Sequence, residues 1–304
     1  MIDFLRTFFK DRFLHVIKLT NQNFMENNIH ILLVDCPDEK GLVYKVTDTI
    51  FRNQLNILKN DEFVEQEKKH FYMRTEFSGD FEEAQLIYDL RNILPSPANL
   101  KLSTNQRKDI VILATKEHHC LGDLLLRHHF GELNANIKAV ISNYDSLQNF
   151  TEKFEIPFHT VSHEGKTREE HEVEILKLIG TYNPAYLVLA KYMRILNQGF
   201  VAHFPHRIVN IHHSFLPAFI GANPYKKAYE RGVKIIGATA HFVNENLDEG
   251  PIIEQNVIRV DHSQNAKDMA KAGREVERNV LARSLQLVFQ DKVFVNGNKT
   301  VILE

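Results

Sequence analysis

The chain has little of what marks several large protein classes. Its 304 residues include only two cysteines, Cys36 and Cys120, with no C-x-x-C spacing, which argues against a disulfide framework or a thiolate metal cluster. No run of about eighteen apolar residues occurs, so no membrane span is predicted. Neither sign of charge dominates: 37 basic and 39 acidic residues give a formal net charge of -2, and no positive field for nucleic acid is expected. The 43% hydrophobic content is enough for a sizeable core.

The first 27 residues are predicted to form an N-terminal extension. Charges interrupt their apolar and aromatic stretch, and no small-residue cleavage site follows, so the segment does not fit a signal peptide. We therefore expect a cytoplasmic protein. Periodic structure begins just after Met25, and the sequence leaves open whether Met1 or Met25 is the working start.

Residues 28–105 alternate between strand and helix patterns. The predicted elements, in chain order, are the strand HILLV, a helix from Gly41 to Arg52, the strands LNILK and HFYMRTEF, a helix from Phe81 to Ile93 and the strand NLKLS. Apolar residues at helical spacing predict one buried face on each helix: Leu42, Val46, Thr49 and Ile50 on the first, and Phe81, Ala84, Ile87 and Leu90 on the second. The order βαββαβ predicts a ferredoxin-like domain.

Residues 106–304 predict an α/β domain of another kind. Four continuous apolar runs, separated by helical stretches, occur at 110–114, 137–141, 186–190 and 208–211. Such runs are typical of strands in a mostly parallel sheet, because helices cover both of its faces. The next segments are two longer β stretches, KIIGATAHFV and PIIEQNVIRV, a helix over 265–289 and a hairpin that turns at Asn296-Gly297.

The residues best suited to catalysis lie at the C-terminal end of the last of these apolar runs and in the polar loop further along the chain. Asn210 and His212 are two residues apart, so on an extended strand both side chains point to one face. An amide can donate to a developing oxyanion while an imidazole moves the proton, and Asp248 in the next polar loop can orient a histidine. The structural alternatives are a hydrogen-bonded histidine at a strand end and an ordinary turn aspartate before Gly250.

The same segments resemble the formyltransferase family that uses 10-formyltetrahydrofolate. The resemblance rests on NIHHSFLPAF and TAHFVNENLDEGPIIEQ and is collinear over about 110–295. It implies a Rossmann-like formyltransferase domain in which Asn210, His212 and Asp248 are the catalytic trio. It also implies that Arg194 and Leu196, in KYMRIL, contact the pterin, and His241 is expected beside His212 in the substrate cleft.

One departure from the family directs the choice of reaction. Glycinamide ribonucleotide transformylases have a loop rich in Gly, Ser and Asn that cradles the substrate phosphate, whereas this chain has ATKEHHCLGDLL, filled by Glu117, His118 and His119. The segment is similar instead to the deformylase branch, in which water replaces the amine. That branch carries an N-terminal ACT domain, matching 28–105, and supplies formate to one-carbon and purine metabolism. Formyl transfer to an amine and a non-catalytic amino-acid sensor stay as alternatives.

The ACT resemblance implies an effector site and self-association. Asp38 and Gly41 at the first strand-to-helix turn would receive an amino-acid carboxylate at a helix N-terminus, and Asn56 would hold its polar end. The alternative is a helix cap and a tight turn. ACT modules often pair edge to edge, so a homo-oligomer is expected, with neither its number nor the amino acid specified by the sequence.

Histidine is abundant, with sixteen residues and three doublets, yet no metal site is predicted. Adjacent side chains diverge on a helix or a strand, and no carboxylate stands at H-E-x-x-H spacing. No cofactor is expected either, because the folate is the substrate.

Overall fold

The computed structural model describes residues 29–218 and 224–304. These residues divide into two compact units. The first comprises the described residues up to Gln106 together with Leu303–Glu304, and the second comprises Arg107–Ile302. The predicted extension over 1–27 and the choice of start codon lie outside the described residues. Within the described part of the chain, no helix combines the length and the apolar character needed to cross a bilayer.

The first unit is a four-stranded antiparallel sheet with two helices. Its elements are β1 (Ile29–Pro37), α1 (Leu42–Arg52), β2 (Asn56–Glu65), β3 (His70–Ser78), α2 (Glu83–Ile93) and β4 (Asn99–Thr104). The spatial order of the strands is β2-β3-β1-β4. The element order is therefore βαββαβ, as the sequence pattern predicts.

The predicted buried face is confirmed for α1 and only in part for α2. On α1 the buried residues are the predicted ones, and the helix starts after Gly41, whose φ of 92° suits glycine. On α2 the buried residues are Leu86 and Leu90, whereas Ala84 is exposed. The predicted face of α2 was therefore wrong at Ala84, while Leu90 is buried as predicted and Ile87 is half-buried. Phe81 packs against the core as well, but it precedes the helix, which begins at Glu83.

The second unit is a seven-stranded sheet between helices. Its strands are β5 (Lys108–Ala114), β6 (Ala135–Ser142), β7 (Phe158–Thr160), β8 (Tyr186–Ala190), β9 (Ile208–His212), β10 (Ile235–Phe242) and β11 (Ile252–Arg259), and a separate hairpin is formed by β12 (Val293–Asn296) and β13 (Lys299–Ile302). Its helices are α3 (His119–His129), α4 (Gln148–Glu152), α5 (Arg168–Tyr182), α6 (Gln198–Ala202), α7 (Pro224–Arg231) and α8 (Ala266–Phe289).

The strand order of this sheet is β11-β10-β9-β8-β5-β6-β7. The five strands from β9 to β7 are parallel, and β10 and β11 add an antiparallel edge. Within this unit β5 is the first strand, and β6 and β7 are added on one side of it. The chain then crosses back, and β8 and β9 are added on the opposite side of β5. Open α/β sheets bind ligands outside the carboxyl ends of strands at such a reversal.

Two hydrophobic cores flank the sheet. Along β5, Ile110 and Ile112 belong to one core, with α3 and α8, while Val111 and Leu113 belong to the other, with α5. All four side chains are fully buried, which explains the uninterrupted apolar sequence of the strand. The short strand β7 was not predicted, because its three residues are no more than partly buried and form no apolar run.

Candidate active site

A cavity of about 290 Å³ opens beside the carboxyl ends of β8 and β9. Three stretches of chain line it, within residues 189–196, 210–213 and 241–248. Residues 189–196 end β8 and begin the following loop, 210–213 end β9, and 241–248 run from β10 into its polar loop. The cavity therefore lies at the edge of the sheet where the topology places a ligand site.

Asn210 and His241 are paired across two antiparallel strands. They are direct partners in the register of β9 and β10, so their side chains share one face. The Nδ1–H of His241 donates to the carbonyl oxygen of Phe242 at 2.9 Å, and its Nε2 accepts from the Asn210 Nδ2 at 3.1 Å. Burial lowers the pKa of His241, which keeps the ring neutral and suits this arrangement.

His212 and Asp248 form the second polar pair of the cavity. The His212 Nδ1 lies 3.2 Å from the Asp248 Oδ1, and the His212 Nε2 is buried with no hydrogen-bond partner among the described residues. Burial raises the pKa of Asp248, but the hydrogen bond and charge of His212 outweigh it, so the pKa lies below its usual value. This pairing orients the imidazole and leaves Nε2 as the ring nitrogen without a partner among the described residues.

Backbone geometry sets the position of Asp248. Its φ of 58° is in the left-handed region, which aspartate and asparagine tolerate better than most residues. Two residues later, a Cβ atom on Gly250 would lie 1.8 Å from the carbonyl oxygen of Phe242. Gly250 is therefore required by close approach of the loop to β10, and the D-x-G spacing has a structural cause.

The other predicted substrate contacts also line the cavity. Arg194 and Leu196 lie in the loop after β8, both partly buried, and Leu196 packs against the α5-side core. The structure thus brings all six predicted catalytic and substrate-binding residues to one cavity. The nearby Ser214 hydroxyl donates to the carbonyl oxygen of Ala218 at 2.8 Å.

Known proteins match this chain closely. The formyl transferase family model matches residues 108–285. Formyltetrahydrofolate deformylases of Haemophilus influenzae and Escherichia coli K12 are 59% and 55% identical over 273 residues, covering 90% of this chain and 98% of each relative. The chain belongs to the formyltetrahydrofolate deformylase family.

Solved structures separate the two branches that the sequence resembles. A formyltetrahydrofolate deformylase of Pseudomonas syringae pv. tomato has a TM-score of 0.88 and 36% identity, covering 96% of this chain and all of its own. A glycinamide ribonucleotide transformylase of Symbiobacterium toebii has a TM-score of 0.64 and 26% identity, covering 69% of this chain and all of its own. The deformylase thus aligns with a larger part of the chain than the transformylase does.

A buried ionic cluster behind the cavity was missed by the sequence reasoning. It consists of Lys191, Glu277, His119 and Tyr225, and we call it the Glu277 cluster. The Glu277 Oε2 accepts from the Lys191 Nζ at 3.1 Å and from the His119 Nε2 at 2.8 Å, and its Oε1 accepts from the Tyr225 hydroxyl at 2.6 Å. Burial raises the pKa of Glu277, but the hydrogen bond from His119, the charge of Lys191 and the bond from Tyr225 lower it to about 2.

Two sequence features of the Glu277 cluster could have indicated it. Lys191 directly follows the apolar strand YLVLA, at the same sheet edge as Asn210. Glu277 is a carboxylate on the otherwise apolar face of α8 that buries Gly273 and Val280. The other three residues of the cluster lie 72 to 158 residues after His119 in the sequence. No local sequence pattern predicts that they contact one another.

The cluster also bears on the metal prediction. His119, Cys120 and Glu277 offer three ligand atoms within 4.8 Å of one another. Both oxygens of Glu277 already accept hydrogen bonds, and the Lys191 ammonium lies on one of them. Burial and the charge of Glu277 raise the pKa of Cys120, which disfavours the thiolate that a metal requires. These contacts fit an ion-pair cluster better than a metal site.

The predicted effector residues do not form one group. Asp38 and Gly41 lie together after β1, both exposed, and Gly41 is the N-cap residue of α1. Asn56 pairs with Ser78 at the far end of the nine-residue β3, whereas the Asp38 backbone N–H donates to Lys69, just before its start. At about 3.3 Å per residue the two ends are roughly 25 Å apart. A single site containing all three residues is therefore contradicted within the described chain.

Proposed function

We propose that this protein hydrolyses 10-formyltetrahydrofolate to tetrahydrofolate and formate, with Asn210, His212 and Asp248 as the catalytic residues. The observation that carries the proposal is the His212–Asp248 pair, which lines one cavity together with Asn210 and leaves the His212 Nε2 without a hydrogen-bond partner among the described residues. Relatives that are 55–59% identical over most of the chain carry the name formyltetrahydrofolate deformylase.

The proposed reaction begins with a water held between the formyl carbon and His212. The Nε2 atom removes a proton as the water oxygen bonds to the formyl carbon, and Asp248 stabilises the imidazolium that results. The second N–H of the Asn210 amide donates to the developing oxyanion. The proton then passes to N10 of the folate as the C–N bond breaks, which releases formate and tetrahydrofolate without oxidation or reduction.

The remaining cavity residues position the folate and the catalytic groups. His241 accepts one N–H of the Asn210 amide and so fixes the orientation of the other. Arg194 and Leu196 are proposed to contact the pterin from the loop after β8. This chemistry needs water and side chains alone, so the expectation that no cofactor is needed stays a prediction.

An assay without an acceptor tests the proposal. The purified protein is incubated with 10-formyltetrahydrofolate alone, and formate and tetrahydrofolate are measured against time. We expect equal amounts of both products. Turnover that requires an added amine would instead support the transferase alternative, and absence of any turnover would support the sensor alternative.

For the first unit we propose an ACT-type domain, on the basis of its βαββαβ order. An amino-acid effector would bind near Asp38 and Gly41, without Asn56. Calorimetry with each of the common amino acids tests effector binding, and absence of heat with all of them would contradict it. Light scattering after size exclusion tests the expected homo-oligomer, and a monomer mass would contradict it.

A further inference from the structure

Lys191 occupies a backbone conformation that suits glycine. Its φ is 61°, and a residue with a Cβ in the left-handed region costs on the order of 1 kcal/mol or more. Lys191 is also buried, with only 7% of its surface exposed, and it lines the cavity. A strained, buried lysine directly after a sheet strand calls for a physical reason beyond the fold.

The Glu277 cluster holds this lysine in place. Glu277 is 1% exposed and binds the Lys191 ammonium, the His119 ring and the Tyr225 hydroxyl together. Gly273, one helical turn before Glu277, leaves room for Tyr225, since a Cβ there would lie 2.1 Å from the tyrosine hydroxyl. The lysine is thus fixed by a carboxylate whose other bonds come from two further helices.

His213 joins the cluster to the catalytic pair. Its ring centroid lies 5.3 Å from that of His212 and 6.1 Å from that of Tyr225. Burial and the charge of Lys191 lower the pKa of His213 to about 4, so the ring is neutral near pH 7. Lys191 and His213 both line the cavity that contains His212 and Asp248, and they form part of its wall.

We propose that Lys191, anchored by Glu277 and His119, fills the side of the cavity from which an amine acceptor would approach the formyl carbon, and so selects water. This inference rests on the proposed deformylase function. The lysine side chain, held in place by Glu277, removes volume on that side of the cavity, so a nucleophile larger than water is excluded there. Water is small enough to enter.

The two competing reactions have the same balance apart from the nucleophile. In both, the bond between N10 and the formyl carbon breaks and N10 gains a proton. With water a C–O bond forms and formate leaves, and with an amine a C–N bond forms and a formamide leaves. Neither reaction needs an oxidant or a metal. The ratio of the two products therefore measures how accessible the formyl carbon is to an amine.

The test measures this ratio with hydroxylamine, a small amine that is largely uncharged near pH 7. The wild-type protein and the Lys191→Gly and His119→Ala variants receive 10-formyltetrahydrofolate with increasing hydroxylamine, and formate and formohydroxamate are measured. His129→Ala is the matched control, because His129 is an exposed histidine at the far end of the helix that begins with His119. Glycine suits the backbone at position 191, and Glu277 keeps its His119 and Tyr225 bonds in that variant.

We expect the ratio of hydroxamate to formate to rise on the order of tenfold in Lys191→Gly, and less in His119→Ala, with His129→Ala matching the wild type. Formate release by variants that keep the wild-type ratio would overturn the inference. Loss of both products in both variants, with folate still bound, would also overturn it, because the cluster would then serve the chemistry. Failure of the wild type to release formate would contradict the proposed function itself.

Discussion

The Asn210 amide nitrogen lies 3.1 Å from the Nε2 atom of His241, across the antiparallel pair β9 and β10. The Nδ1–H of the histidine is committed to the Phe242 carbonyl, so its Nε2 can only accept from Asn210 while the ring is neutral. The amide is therefore held with its nitrogen at the strand partner, and the orientation of its second N–H is fixed before any substrate binds.

Removing the Asn210 amide should slow turnover with little change in folding. We expect Asn210→Ala to reduce kcat by about a hundredfold or more, the usual effect of losing one oxyanion donor. His241→Phe, which frees the amide to rotate, should reduce kcat by a smaller factor. Steady-state formate release measures both, with Asn256→Ala as the control, because Asn256 is exposed on β11 of the same sheet. Equal kcat in Asn210→Ala and Asn256→Ala would refute the donor role.

The charge of Asp248 can be removed without disturbing its backbone. Asparagine tolerates a φ of 58°, so Asp248→Asn should fold as the wild type does. We expect kcat to fall by about a hundredfold or more, because the His212 imidazolium loses its counter-charge. Formate release and thermal unfolding are measured beside Asp261→Asn, a change at an exposed loop. Unaltered kcat in Asp248→Asn would rule out the proposed role.

The Glu277 cluster predicts a pH-dependent contribution to stability. The pKa of Glu277 is lowered from 4.5 to about 2 in the folded protein, so the carboxylate stabilises the fold above pH 4.5 and this contribution declines as the pH falls toward 2. Glu277→Gln should lower the free energy of unfolding by roughly 3–5 kcal/mol at pH 7, since it leaves the buried Lys191 ammonium without its counter-charge. Urea unfolding between pH 3 and 7 should show this difference shrinking at low pH.

Glu275→Gln is the control for that series, because Glu275 is an exposed residue of the same helix that pairs with Arg278. Its effect should stay within about 0.5 kcal/mol. A difference between Glu277→Gln and wild type that does not depend on pH would mean that packing, and not charge, is responsible.

Two glycine substitutions in helices should have opposite effects. Gly273→Ala places a methyl group 2.1 Å from the Tyr225 hydroxyl, and we expect about 1–3 kcal/mol of destabilisation. Gly180→Ala on α5 meets no atom within 4 Å and should stabilise the protein by about 0.5–1 kcal/mol. Urea unfolding measures both, and an increase in stability for Gly273→Ala would show that Tyr225 moves aside without cost.

The sequence predicted most elements of the fold because their patterns are local. Strand β5 is apolar at every position between its two cores, and α1 repeats its buried residues at helical spacing. Asn210 and His212 were identified because they lie together at one strand end. Asp248 was identified because its loop resembles that of the formyltransferase family. The antiparallel register of β9 and β10 and the partners of Glu277 depend on contacts distant in sequence, which no local pattern encodes.

The close approach of Gly250 to β10 has a consequence for how Asp248 is held. The carbonyl oxygen of Phe242 occupies the space that a methyl group on residue 250 would need. The loop that carries Asp248 is thereby seated directly on the strand that carries His241, and any larger residue would lift it away. The position of the carboxylate is thus decided by the residue that has no side chain.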